Sequence, residues 1–226
     1  ALRHRLSDEE IARLATRRHE FPGVEINARL YRRYPFADLS SHVIGYIGRI
    51  NPEEKRALEE GDDALNYRGT THIGKLGVEQ SYEAQLHGIS GSEQLEVTST
   101  GQVVRRLASK PAVPGRNIML SIDIRLQKLV EDLFGNRRGA LVAMDPRDGQ
   151  VLAMVSKPTF DGNLFVDGID QENWAALNES IDKPLLNRAL RGTYPPGSTY
   201  KPFMALAALE TGSRNPATTI YDPGYW

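Results

Sequence analysis

The stretch TYPPGSTYKPFMALAALETG, Thr193 to Gly212, carries a serine and a lysine three residues apart, Ser198 and Lys201, directly after Pro195-Pro196-Gly197. A serine hydroxyl is a weak nucleophile until a base takes its proton, and a lysine amine within reach can be that base. Pro202 fixes the register. Proline has no N–H and is accepted in a helix only within the first turn. The apolar run from Phe203 to Glu210 is strongly helical and closes at Gly212. The helix is therefore expected to start at about Ser198 or Thr199. Lys201 then lies one turn further on and on the same face, with the two Cβ atoms about 5–6 Å apart. Free backbone N–H groups at the helix mouth would stabilise negative charge near Ser198. A lysine shielded from water there would give up its proton and act as base. Serine is also a favoured N-cap, so the tetrapeptide alone leaves capping open as well.

The chain contains the same spacing a second time. Ser180-Ile181-Asp182-Lys183 is also followed by a proline, Pro184. It has no glycine turn before it, and Pro184-Leu185-Leu186-Asn187 reads as extended rather than helical. This copy is read as a decoy. The histidines, His4, His19, His42, His72 and His87, all precede residue 90 and show no zinc-type spacing, so surface or core roles are expected and no metal or cofactor is assigned. A Ser-His-Asp triad is disfavoured because Ser198 lacks the G-x-S-x-G elbow. Asp145 and Asp148 belong to a hairpin turn, and a turn role suffices for Asp161, Gly162 and Asn163. Tyr200 is expected to pack.

The elements that must position Ser198 can be read backward from it. GALVAMDPRDGQVLAMVS is two apolar strands around Asp145-Pro146-Arg147-Asp148-Gly149, a hairpin signal. DIRLQKLVEDLFG predicts a helix capped by Asp123, with Ile124, Leu126, Leu129, Val130 and Leu133 near one face. NIMLSI before it is a strand candidate. SKPAVPG, Ser109 to Gly115, breaks regular structure and marks a boundary. Upstream, SEQLEVTSTGQVVRRL predicts two strands joined at Thr100-Gly101. INPEEKRALEEG predicts a helix with Pro52 early and Gly61 after its end. NARLYRRYPF is strand-like. LSDEEIARLATRRHEFPG predicts a helix from Ser7, with Glu10 completing a capping box.

The chain has 226 residues, with 28 Lys+Arg against 29 Asp+Glu, so charge gives no reason to expect a nucleic acid partner. No window matches the ~20 unbroken apolar residues of a spanning helix. Ala1 opens directly into charged sequence, which is compatible with an upstream targeting or anchoring segment having been removed. The absence of cysteine removes disulfides, thiolate metal sites and cysteine nucleophiles.

The stretch LNRALRGTYPPGSTYKPFMALAALETG resembles the nucleophile region of the penicillin-binding proteins, whose S-x-x-K signature it contains. GKLGVEQSYEAQLHGISG, GRNIMLSIDIRLQKLVEDLF, GALVAMDPRDGQVLAMVSKPTFDGN and LFVDGI are similar to consecutive class B blocks, in family order. Together with IYDPGYW they look most like the elongation-specific branch. The resemblance runs from about Gly74 to Trp226, and more weakly before it.

It implies an α+β chain: a sheet-rich, elongated N-terminal pedestal domain with a head region, residues 1–114, and the N-terminal part of a penicillin-binding transpeptidase domain of the serine β-lactamase-like fold, residues 115–226. It also implies that Ser198 attacks the penultimate D-Ala carbonyl of a peptidoglycan stem peptide, that Lys201 is the base, and that the Ser198 backbone N–H is one oxyanion donor. β-Lactam antibiotics would acylate the same serine. Partners would include the glycan polymerase RodA and the scaffold protein MreC, and the location would be the periplasmic face of the bacterial inner membrane, through an N-terminal anchor outside this chain. The family also needs an S-x-N motif and a K-T-G strand. No K-T-G occurs; Lys75-Leu76-Gly77 is the nearest string. Ser213-Arg214-Asn215 spells S-x-N, but at ~1.5 Å per residue it lies roughly 22 Å along the helix from Ser198 and reads as a helix-end loop. The chain as given is therefore expected to acylate poorly or not at all. Two other readings remain: a pedestal fragment serving as an interaction module of the elongation complex, and a β-lactam sensor or hydrolase, against which the long pedestal argues.

Overall fold

The structure, a computed structural model, describes residues 3, 6–27 and 30–225. His4 and Trp226 lie outside the described residues, as do Ala28 and Arg29 of the strand-like stretch. In chain order the helices are α1 (Asp8–Thr16), α2 (Ser41–Ile44), α3 (Pro52–Glu60), α4 (Ala64–Tyr67), α5 (Gly77–Ser81), α6 (Glu83–His87), α7 (Ile124–Phe134), α8 (Gln171–Asn178), α9 (Arg188–Arg191) and α10 (Lys201–Glu210). The strands are β1 (Ile47–Arg49), β2 (His72–Gly74), β3 (Ser92–Val97), β4 (Val103–Lys110), β5 (Gly139–Met144) and β6 (Val151–Lys157). They pair as antiparallel two-stranded sheets, β1 with β2, β3 with β4 and β5 with β6, so the α+β expectation holds. No helix of the described residues is long and apolar enough to cross a membrane.

The chain divides into two compact units, each assembled from separated segments. The first comprises the residues up to Ala37, Ile44–Asn117 and Asp161–Gln171. Helices α1 and α3 begin where their capping residues demand. Ser7 Oγ accepts from the Glu10 N–H while the Glu10 carboxylate accepts from the Ser7 N–H, at 3.2 and 2.9 Å, which closes the expected capping box of α1. Asn51 and Glu54 do the same for α3, with Pro52 in its first turn. The β3–β4 ribbon turns at Gly101, whose φ of +82° suits glycine, and both its strands are exposed along their length.

The buried residues of this unit include the apolar Phe165 and Val166 and a polar cluster around Glu79. Glu79, 5% exposed, accepts from the Arg32 guanidinium at 2.9 Å and from the Tyr34 hydroxyl at 3.2 Å. The Tyr34 hydroxyl in turn accepts from the Ile47 N–H at 2.9 Å, and burial pushes the Glu79 carboxyl above its usual range against the pull of Arg32. NARLYRRYPF is not a strand over its described residues. The backbone of Tyr34 is occupied otherwise: its N–H donates to Asn163 Oδ1 and its C=O accepts from Asn163 Nδ2, both at 2.9 Å. Asn163 thus supplies what a neighbouring strand would. The turn role expected for Asp161 to Asn163 is present, since Asp161 caps a short 3₁₀ turn over Gly162–Phe165, but Asn163 does more than turn the chain.

The second unit comprises Asp38–Val43, Ile118–Phe160 and the residues from Glu172 onward. The β5–β6 hairpin forms as the sequence indicates, with the Asp145 carboxylate accepting from the Arg147 N–H at 2.9 Å. Helix α7, capped by Asp123, packs on β6. The face it buries differs from the expected one. Gln127, Val130 and Glu131 are buried, whereas Leu129 and Leu133 are 55% and 64% exposed. The reason is hydrogen bonding: Gln127 donates to the Met154 C=O and accepts from the Met154 N–H, both at 2.9 Å, and donates to Glu131 at 3.0 Å. Glu131 also accepts from the Ser40 N–H at 3.1 Å and faces Lys157 at 3.5 Å. The strand expected over NIMLSI is absent. Only Ser121 Oγ and the Asp123 N–H reach β6, at the carbonyls of Val151 and Leu152.

Two outcomes follow from these buried polar contacts. Asn163→Ala leaves the Tyr34 N–H without its partner and the Tyr34 C=O with the Ala37 N–H alone, and should cost the first unit about 1–3 kcal/mol, read from its denaturant midpoint. Asn163→Asp, which keeps the acceptor and loses the donor, should fall between. His42, 9% exposed and edge-on to Phe160, has its imidazole pKa lowered by burial. The unfolded chain binds a proton below about pH 6.5 that the native state resists. The stability His42 contributes is therefore full above that pH and lost as pH falls below it. His42→Gln should flatten this acid-side loss in unfolding midpoints taken from pH 7.5 to 5; an unchanged slope would refute it.

Candidate active site

Ser198 lies in a 3₁₀ turn over Gly197–Tyr200, and α10 begins at Lys201 with Pro202 in its first turn. The helix start is thus slightly later than the sequence suggests, and Pro202 is the reason. In an α-helix the Ser198 carbonyl would accept from the N–H of residue 202, which proline lacks. It accepts instead from the Lys201 N–H, one residue nearer, which is the 3₁₀ pattern. The Thr199 N–H likewise bonds the Pro196 carbonyl at 3.3 Å, and the Thr199 hydroxyl bonds it too. Gly197 carries the left-handed φ, +53°, that brings the chain out of the two prolines. In a 3₁₀ turn residues i and i+3 eclipse, so Ser198 and Lys201 stand in line.

The capping alternative for Ser198 is not realised. The cap positions are Pro196 for the turn and Tyr200 for α10, and neither element has a side-chain cap. Among the described residues no hydrogen bond occupies the Ser198 hydroxyl or the Lys201 amine, either with each other or with a third group. The shielding from water expected around Lys201 is not supplied by the described residues. Ser198 and Lys201 are exposed, and Phe203 and Leu206 on α10 are 67% and 57% exposed. A helix that is apolar on most sides is a helix built for burial. Tyr200 meets Phe203 at 6.2 Å between ring centroids.

Ser180 is placed quite differently. Its hydroxyl accepts from the Asp182 N–H at 3.2 Å and its carbonyl from the Lys183 N–H at 3.0 Å, a local turn. Lys183 has φ +42°, and no helix continues from it. The same four-residue spacing therefore gives an engaged serine at 180 and an unengaged one at 198.

The chain around α9, ahead of Ser198, is anchored by residues that the sequence reading missed. Arg188, 9% exposed, donates to the carbonyls of Lys183 and Asp182 at 3.0 and 2.5 Å, and its backbone N–H donates to Ser156 Oγ at 2.9 Å. Asn187 caps α9 by accepting from the Leu190 N–H at 3.2 Å. An asparagine just before Arg188-Ala189-Leu190-Arg191 was the available signal. A Cβ on Gly192 would sit 2.5 Å from the Arg188 carbonyl, so the chain leaves α9 through a gap only glycine fits.

The other sequence candidates are structural. Ser213 bonds Thr211 Oγ1 at 2.9 Å and Asn215 accepts from the Ala217 N–H at 2.9 Å, both in the loop after Gly212. Lys75 is paired with Glu54, and Gly77 opens α5. His87 stacks on Tyr67 and bonds Thr70, and His19 is exposed beside Glu20. Among the described residues no group of His, Asp or Glu could hold a metal ion.

Comparison with known proteins matches the chain to one family. Residues 1–120 match the model of the penicillin-binding protein dimerisation domain, and residues 139–226 match the penicillin-binding protein transpeptidase domain. The peptidoglycan D,D-transpeptidase MrdA of Haemophilus influenzae is 44% identical over 225 residues, covering 100% of this chain and 35% of the relative. MrdA of Escherichia coli K12 is 44% identical over 221 residues, covering 98% and 35%. The chain thus spans about a third of the length of these relatives. Among solved structures, Pseudomonas aeruginosa PBP2 in complex with WCK 5153 has a TM-score of 0.74 at 46% identity, covering 89% of this chain and 40% of that one. The complex of PBP2 and MreC from Helicobacter pylori has a TM-score of 0.83 at 32% identity, covering 95% and 39%. The chain belongs to the penicillin-binding proteins, and it carries their dimerisation domain followed by the start of their transpeptidase domain.

Proposed function

We propose that the chain is the pedestal and the opening part of the catalytic domain of a peptidoglycan D,D-transpeptidase that cross-links stem peptides during cell-wall elongation. The observation that carries this reading is the tight turn that Pro202 imposes, which leaves the Ser198 hydroxyl uncapped and in line with Lys201. In the proposed reaction the Lys201 amine takes the Ser198 proton. The oxygen attacks the penultimate D-Ala carbonyl, with the Ser198 backbone N–H donating to the developing oxyanion. Collapse expels the terminal D-Ala, protonated on its nitrogen, and leaves an acyl-enzyme that an amine on a neighbouring strand attacks. A β-lactam enters the same path, but its leaving group stays attached and the ester persists.

Burial of α10 is part of this proposal. A lysine amine is a base only when its charged form is disfavoured, and an apolar helix packed in a domain core gives that environment. Residues after 226 in the full-length protein would supply the cover, the S-x-N and K-T-G elements and the second oxyanion donor. MreC is the proposed pedestal partner, because the PBP2 of Helicobacter pylori that this chain resembles is seen in complex with MreC. A RodA-type glycan polymerase and the periplasmic face of the inner membrane complete the proposed setting.

Labelling by a fluorescent penicillin tests the reading. The full-length protein should form a stoichiometric adduct, Ser198→Ala should abolish it, and Lys201→Ala should slow it by about 10²–10⁴-fold. Ser180→Ala and Lys183→Ala should label normally; if they abolish the adduct and Ser198→Ala does not, the assignment is wrong. The 226-residue chain should label slowly or not at all, and rapid stoichiometric labelling would show that the site needs nothing further.

A further inference from the structure

Six residues from the N-terminal half, Asp38–Val43, are built into the second unit, and they reach Asn187 at the start of α9. This strap is well anchored. Ser40, Ser41 and His42 are 5%, 4% and 9% exposed. The Ser40 N–H donates to Glu131, the Thr159 hydroxyl donates to the Asp38 carbonyl at 2.8 Å, and the hydroxyls of Ser41 and Thr159 meet at 2.5 Å. Its last bond is the informative one. The His42 carbonyl accepts from Asn187 Nδ2 at 3.2 Å, across 145 residues of sequence.

Asn187 therefore has two duties. Its oxygen caps α9 and its amide nitrogen holds the strap. From α9 the chain reaches Ser198 in six residues, Gly192 to Gly197. Pro195 and Pro196 restrict φ in that link, and Gly192 is closed in against the Arg188 carbonyl. A short, stiff link transmits the placement of its anchored end. We propose that Asn187 is a positioning residue for Ser198, and that through it the strap Asp38–Val43 is a working part of the catalytic unit. This rests on the proposed role of Ser198 as nucleophile. A catalytic piece cut at the boundary read from the sequence, after residue 114, would lack the strap and hold its nucleophile loop loosely.

Asn187→Asp isolates the strap bond, because aspartate still caps α9 but cannot donate to the His42 carbonyl. In the full-length protein, penicillin acylation is resolved into non-covalent binding and the acylation rate constant. Asn187→Asp should lower the rate constant by about tenfold or more and leave binding within about twofold. Asn187→Ala should show the same kinetic loss plus a lower melting temperature. If Asn187→Asp folds poorly, Thr159→Val, which frees the strap at its other end, should lower the rate constant in the same way. Wild-type acylation by Asn187→Asp, or by Thr159→Val in its place, overturns the proposal while the role of Ser198 stands. Adduct formation by Ser198→Ala overturns the role of Ser198 itself.

Discussion

A proline cannot donate the hydrogen bond that an α-helix asks of its fifth residue, and the geometry around Ser198 follows from that. With no N–H at Pro202, the Ser198 carbonyl turns to the Lys201 N–H, and the chain tightens by one residue. The tightening puts Ser198 inside a 3₁₀ turn instead of at a cap, so its hydroxyl is not drawn into satisfying helix donors. It also eclipses Ser198 with Lys201. The Ser180 copy has its proline at the same offset, yet Lys183 adopts a left-handed conformation and the serine is taken up by its own turn. Spacing supplies the residue types; the helix that follows supplies the alignment.

Elsewhere the fold relies on one recurring device. Asn163, Gln127 and Asn187 each use both ends of a side-chain amide on main-chain groups or caps. Asn163 completes the backbone of Tyr34, Gln127 the backbone of Met154, and Asn187 joins the cap of α9 to the strap. Small sheets of two strands leave many backbone groups to satisfy, and an amide carries the donor and acceptor that a missing strand would have given. These clamps sit beside buried carboxylates, Glu79 in one unit and Glu131 in the other, each held by a cation and by neighbouring donors.

What could be read in advance was local. Ser7, Asn51 and Asp123 each mark a helix start through side-chain oxygens that reach N–H groups two or three residues on. Gly101 and the Asp145–Gly149 turn mark their hairpins. What could not be read was long-range. The buried face of α7 centres on Gln127 because Met154 lies across from it, and no periodicity of apolar residues reveals that. NIMLSI and the stretch around Tyr34 have strand composition but lack strand neighbours among the described residues. At the candidate site, Pro202 sets the expected helix start, but the choice of Ser198 and Lys201 over a plain cap rests on the resemblance of the surrounding blocks, whereas Asn187 and Arg188 bond to carbonyls at His42, Asp182 and Lys183 that carry no sequence signature.

The distance between Ser198 Oγ and Lys201 Nζ in an experimental structure of the unliganded full-length protein tests the central claim most directly. A hydrogen bond of about 2.6–3.2 Å, with α10 buried around it, is the predicted result. An ordered Lys201 amine turned to solvent and beyond contact of the serine oxygen would contradict the assignment.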